Sequence, residues 1–200
     1  NRERQVEHLH NMMHRPPIVV SPYDAELFGH WWYEGPWFID YLFRKSWFDQ
    51  GTYDMTHLSD YLKANPVQQV CRPSQSSWGY KGFHEYWLNE TNTWIYPHLH
   101  KAAERIIELS SREAEDELEW KALNQAAREL LLAQSSDWAF IMRTGTMVPY
   151  AVRRTRSHLM RFNKLYEDIN IGKIDSGWLE KVEYIDNIFP SINYRAYRTL

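Results

Sequence analysis

The sequence predicts an α/β unit followed by a layer of helices. Two patterns carry that expectation. A short apolar run, Ile18-Val19-Val20, lies between Pro17 and Pro22 behind a helical N-terminus, and long stripes of apolar residues at helical spacing follow Pro97. The run reads as a buried parallel-type strand, since a strand covered on both faces is apolar without alternation. Helix, proline break, strand and then a loop dense in functional groups is the order of one α/β barrel unit.

Each element has a local reason. Val6, Leu9, Met12 and Met13 sit at helical spacing until Arg15-Pro16-Pro17 stops them. Gly35-Pro36 restarts a helix with proline near its first position, running through Leu42-Phe43. Thr56 is placed to cap a short helix that ends before Pro66. Residues 71–94 lack periodicity and read as loop. Leu99, Ala102 or Ala103, Ile106 and Ile107 then make one helical stripe, and Leu118, Ala122, Leu123, Ala126, Leu130 and Leu131 a second behind an acidic first turn. Val148, Val152, Thr155, Leu159, Phe162, Tyr166 and Ile169 make a third, closed by Gly172. Ser176 is placed to cap a last short helix through Ile185.

Composition excludes several classes. With 23 Lys plus Arg against 26 Asp plus Glu among 200 residues, the formal charge is −3, which is no footprint for a nucleic-acid backbone. One cysteine, Cys71, cannot close an intrachain disulfide, and no Cys/His spacing suits structural zinc. His8, His10 and His14 lack a completing carboxylate or thiol at helical intervals, so no metal is expected, and no cofactor motif appears. No apolar run spans a membrane and no secretory signal opens the chain, which leads to the expectation of a cytoplasmic protein. The chain opens at Asn1 without an initiator Met, which reads as a portion of something longer.

The unusual feature is aromatic: ten Trp, 13 Tyr and eight Phe accompany a mean hydropathy of −0.64. Trp and Tyr join a flat apolar face to a polar tip, which suits partners such as sugar rings. A Trp-rich core is the plainer explanation for any single ring.

The densest functional stretch is Ser21 to Pro36, SPYDAELFGHWWYEGP. Asp24 and Glu26 follow the expected strand, where barrel folds place active sites. His30 and Trp31 add a titratable donor and a ring. Glycoside chemistry needs an acid for the leaving oxygen, a second carboxylate and flat platforms; this stretch supplies half of that set. The competing role for Asp24 and Glu26 is capping the following turn.

Tyr23 to Gly35 (YDAELFGHWWYEG) resembles the late signature block of glycoside hydrolase family 57, above all of its α-1,4-glucan branching enzymes. Ser76-Ser77-Trp78-Gly79, Leu132 to Trp138 with Gly145-Thr146, Tyr150-Ala151 and Asp186 to Pro190 resemble further blocks of the same C-terminal region. The similarity spans essentially the whole chain. It implies a retaining double displacement on an incomplete (β/α)7 barrel, with Asp24 as acid/base and a glutamate nucleophile from an earlier strand outside this chain. It also implies that Trp78 and Trp87 line the sugar cleft and that Asp137 hydrogen-bonds glucose hydroxyls. Tyr80-Lys81 departs from the family pattern between those tryptophans. For Trp87 core packing competes with the cleft, and for Asp137 an N-cap role competes with binding.

The resulting expectation is the C-terminal portion of a branching enzyme. Residues 1–50 form the last unit or units of the barrel, 51–95 a loop-rich connection lining the cleft, and 96–200 a helical domain. The catalytic residue is Asp24, and His30, Trp31, Trp78, Trp87 and Asp137 bind substrate. The partners are an α-glucan and the missing N-terminal part of the same enzyme. A family 57 α-amylase or 4-α-glucanotransferase would share these residues, and a non-catalytic α-glucan-binding module would use the aromatic platforms alone.

Overall fold

The structure is a computed structural model and describes residues 1–198. Among the described residues it is helical, with no β-strand and one isolated bridge, Phe28 to Trp32. The helices are α1 (Arg2–Met12), α2 (Gly35–Phe48), α3 (Leu58–Ala64), α4 (Ile95–Ser110), α5 (Glu117–Ala133), α6 (Ser136–Thr144), α7 (Val148–Ile171) and α8 (Ser176–Ile185). Short 3₁₀ turns cover Ala25–Leu27, Tyr80–Gly82 and Tyr194–Tyr197.

The expected strand at Ile18-Val19-Val20 is therefore corrected: these residues belong to no regular element. A strand exists only when its N–H and C=O groups meet a neighbour. Pro16, Pro17 and Pro22 contribute no N–H, and no described segment pairs with the run.

The chain divides into two compact units, residues 1–72 and the part from Pro73 onward. The first has no buried apolar side chain; only Gly35 and Ser46 are buried in it. Its order comes from local contacts. Tyr23, Phe28, Trp32 and Phe38 form an aromatic knot with ring centres 4.9–6.5 Å apart. Tyr61 donates to the Pro16 carbonyl at 2.7 Å, and Arg15 to the Val67 carbonyl at 3.0 Å. Gly35 permits the closest approach, since a Cβ there would lie 2.6 Å from the Phe28 Cα. The cap of α3 is His57 rather than Thr56, whose hydroxyl bonds the next carbonyl instead.

The second unit holds the hydrophobic core. Helices α5 and α7 form its principal pair, α4 and α6 pack on them, and α8 covers α5. Most of the predicted stripes face inward: Leu99, Ala102 and Ile106 of α4, Ala122, Leu123, Ala126 and Leu130 of α5, and Thr155, Leu159, Phe162 and Ile169 of α7 are buried, whereas Ile107 lies off the α4 stripe and is exposed. Helix α5 goes further, burying Asn124, Gln125, Arg128 and Glu129 on its other sides. Asp116 caps α5 by accepting from the Glu119 N–H at 2.8 Å. Asp175, not Ser176, caps α8 through the Trp178 N–H. Gly172 ends α7 in the left-handed conformation (φ 66°), where a Cβ would be strained.

The tail returns across this core. Tyr194 is buried, its N–H bonds Asn124 Oδ1 at 2.9 Å, and its hydroxyl donates to the Arg112 carbonyl at 3.0 Å. The basic residues of α7 make no ion pair with the acidic first turn of α5 among the described residues. Arg153 lies over Tyr150, Arg154 over Trp138 and Arg156 over Trp94, while Arg161 bonds Asp186.

Candidate functional site

The first unit presents three of the predicted residues on one tight loop. Asp24 begins the 3₁₀ turn Ala25–Leu27; its carbonyl accepts from the Leu27 N–H at 3.2 Å, but its carboxylate makes no capping bond. The capping explanation for that carboxylate is thus removed, and the group is exposed. The His30 and Trp31 N–H groups both reach back to the Glu26 carbonyl, with Gly29 at φ 130° allowing the reversal. The two rings meet edge-on at 4.7 Å, and Trp31 is 75% exposed. A shallow depression of about 490 Å³ in the same unit is lined by Glu34, Trp37, Phe38 and Tyr41 and by none of the predicted residues.

The second unit builds an aromatic platform. Residues 77–83 close on themselves: the Ser77 N–H bonds the Gly82 carbonyl at 2.9 Å, and Ser77 Oγ accepts from the Gly79 N–H at 3.0 Å. A Cβ at Gly79 would lie 2.8 Å from the Phe83 carbonyl oxygen, so this turn needs glycine. The turn thrusts Trp78 outward, 70% exposed. Its ring stands edge-on to Trp87 at 5.3 Å and lies 6.0 Å from Tyr86 and 5.9 Å from Phe140. Tyr86 and Phe140 stack at 5.4 Å with planes 24° apart.

Trp78 and Trp87 are therefore brought together, with different duties. Trp87 is half-buried against the core, and its carbonyl accepts from the Tyr96 hydroxyl. Buried Asn92 fixes the platform to α6, donating to the Tyr86 and Ala139 carbonyls at 2.9 and 3.2 Å and accepting from the Asn89 N–H. Trp138 is buried and Trp87, Trp94, Trp120 and Trp178 pack half-buried against the core, so core packing accounts for five of the ten tryptophans.

Asp137 lies on α6, exposed, three residues before Phe140. The N-cap of that helix is Ser135, which corrects the capping alternative for Asp137; Ser135 Oγ instead donates to Asp137 Oδ2 at 2.9 Å. Phe140 and Arg143 have no place in a sequence reading that sets no helix over 136–144, and Tyr86 lies in a stretch without periodicity. The signals of α6 were Asp137 in the first turn and Gly145 after the last.

A second polar group, also missed, lies inside the core. Glu129, His158 and Asp186 are buried with ligand-type atoms within 4.8 Å of one another. His158 Nδ1 lies 2.7 Å from Glu129 Oε2. Arg154 donates to His158 Nε2 from Nε at 3.3 Å and from Nη2 at 3.0 Å. A guanidinium has no acceptor, so Nε2 accepts and the imidazole proton sits on Nδ1, facing Glu129. Arg161 bonds Asp186, and Arg128 bonds Gln125 and the Ile188 carbonyl. Of these guanidiniums, Arg161 is the one that bonds a carboxylate of the group. Burial pushes the Glu129 carboxyl above its ordinary range, opposed by hydrogen bonds from His158 and Gln125.

Comparison with known proteins decides the family. The model of the family described as "1,4-alpha-glucan branching enzyme, C-terminal" matches residues 98–197. The chain belongs to that family. Within it, 1,4-alpha-glucan branching enzyme TK1436 of Thermococcus kodakarensis is 36% identical over 189 residues, which are 90% of this chain and 27% of that protein. A probable 1,4-alpha-glucan branching enzyme of Mycobacterium tuberculosis (strain H37Rv) is 26% identical over 198 residues, covering 36% of its length.

Solved structures agree. The family 57 branching enzyme from Thermococcus, crystallised with glucose, matches 98% of this chain and 36% of its own at a TM-score of 0.78 and 33% identity. The alpha-amylase AmyC from Thermotoga maritima matches the whole chain and 37% of its own at 0.75 and 41% identity. The branching-enzyme family chain thus spans about a third of these relatives, as a C-terminal portion.

Proposed function

We propose that this chain is the C-terminal part of a retaining α-glucan branching enzyme that makes α-1,6 branch points during glycogen or α-glucan synthesis in the cytoplasm. The observation that carries the reading is the platform of Trp78, Tyr86 and Phe140 in a chain of this family. Pyranose rings stack their C–H faces on such rings and leave hydroxyls for polar neighbours, the role given to Asp137 here and to His30 and Trp31 on the first unit's loop.

Asp24 is the acid/base. Its carboxylate makes no capping bond and is open to solvent. It protonates the departing glycosidic oxygen while a glutamate outside this chain attacks the anomeric carbon. It then deprotonates the 6-hydroxyl of the acceptor glucan, which displaces the glutamate with overall retention. Retention calls for carboxyl groups roughly 5–5.5 Å apart. Residues 1–50 would complete a (β/α)7 barrel, with 51–95 as its connection and the rest as the helical domain. The first unit's lack of a buried apolar side chain supports this, as does the greater length of the relatives.

The test is formation of new α-1,6 linkages from amylose by the full-length protein, read after debranching. A hydrolytic reading has one specific support, the 41% identity to a structure titled an alpha-amylase. It predicts reducing ends released without new branch points.

A further inference from the structure

We propose that Arg143 is a further glucan-binding residue, donating hydrogen bonds to sugar hydroxyls at the edge of the Trp78 platform. The inference deepens the reading of that platform as a sugar site and rests on it. Helix α6 carries Asp137, Phe140 and Arg143 at successive steps of three, so the acid and the base flank the ring on one side of the helix. The Arg143 guanidinium carbon lies 6.0 Å from the centre of the Tyr86 ring, which is itself stacked on Phe140.

Most arginines of the second unit are spoken for. Arg105, Arg112, Arg128, Arg161, Arg195 and Arg198 donate to side-chain or backbone oxygens, and Arg154 to His158. Arg143 is exposed, and among the described residues it has no carboxylate partner and no hydrogen bond. Its five N–H donors therefore stand beside the half-buried Tyr86 ring.

The chemistry of the whole face selects the ligand. Six residues at a rise of 1.5 Å put Asp137 and Arg143 about 9 Å apart along the helix axis, with aromatic rings between. An anionic ligand large enough to span this face would meet the Asp137 carboxylate. A neutral polyhydroxyl chain gives hydrogens to Asp137 and takes them from Arg143, so an α-glucan satisfies both ends. A competing explanation is charge alone: Arg143 occupies the last turn of α6, where a cation complements the helix dipole.

The experiment measures maltoheptaose binding by the full-length protein and its variants in calorimetry, with the melting temperature as control. Arg143→Ala should weaken binding about tenfold, the scale of a charged hydrogen bond, without lowering the melting temperature by more than a degree or two. Arg143→Lys keeps the charge but loses the planar fork, and should still bind several-fold more weakly. Arg143→Gln serves if the alanine variant does not fold. Wild-type affinity in Arg143→Ala, alongside lost affinity in Trp78→Ala, overturns this inference and leaves the platform standing. Wild-type affinity in Trp78→Ala overturns the platform reading and this inference with it. Full affinity in Arg143→Lys assigns the residue to charge alone and also overturns it.

Discussion

His158 Nδ1 faces Glu129 Oε2 at 2.7 Å across the α5–α7 interface, with both side chains wholly buried. The pair sits at the centre of the principal helix pair and reaches the tail through Asp186, whose carboxylate lies 3.7 Å from His158 and also takes Arg161. Removing one partner leaves the other buried without its hydrogen bond. His158→Ala should therefore cost about 1–3 kcal/mol, read as a shift in the midpoint of urea unfolding. A loss below about 1 kcal/mol would show that the network does not hold the helices together.

Glu129 also predicts a pH dependence. Its folded carboxyl is raised above the ordinary 4.5, first by burial. The folded state therefore holds a proton that the unfolded state releases, and stability declines as pH rises from about 4.5 through the raised value. Below that window the contribution is fully present. Glu129→Gln should flatten this slope, at a cost of about 1 kcal/mol for the bond it can no longer accept. An unchanged slope would assign the dependence to other groups.

Asp24→Asn in the full-length protein should cut branching by about 10²–10⁴-fold while glucan binding persists. The 200 residues alone should show no turnover, because the proposed nucleophile lies outside them. Branching by Asp24→Asn at wild-type rate would refute the acid/base assignment, and branching by this chain alone would refute the placing of the nucleophile outside it.

Trp78 and Trp87 should separate in a double assay. Trp78 is exposed, so Trp78→Ala should change stability by no more than about 0.5 kcal/mol and weaken amylose binding strongly in affinity electrophoresis. Trp87 packs on the core and props its neighbour. Trp87→Ala should cost about 2–3 kcal/mol and lower affinity only as the platform loosens.

Residues 1–72 expressed alone should not unfold cooperatively. They bury no apolar side chain, and Trp37, Tyr41, Phe43, Trp47 and Phe48 of α2 are exposed. The measurement is near-UV circular dichroism during a thermal melt. A sharp transition would show a self-sufficient fold and remove the argument that this unit needs the rest of the enzyme.

The sequence determined α4, α5, α7 and α8 of the second unit and the family of the chain. Their stripes recur at 3.6 residues because one face must leave water, and that period survives in the letters of α4, α5 and α7. Trp78 was legible for a related reason, since a ring between Ser77 and Gly79 has no stripe to join. Tertiary structure alone decided the rest. Ile18-Val19-Val20 reads as a strand, yet pairing needs a neighbouring chain segment that the described residues do not supply. The burial of Gln125, Arg128, Glu129 and His158 has no local signal: α5 is enclosed by α4, α7 and α8, so its polar residues turn inward and find one another. The placing of Phe140 and Tyr86 beside Trp78 is tied by Asn92, which bonds the Tyr86 carbonyl and the distant Ala139 carbonyl of α6, a long-range contact that no local pattern encodes.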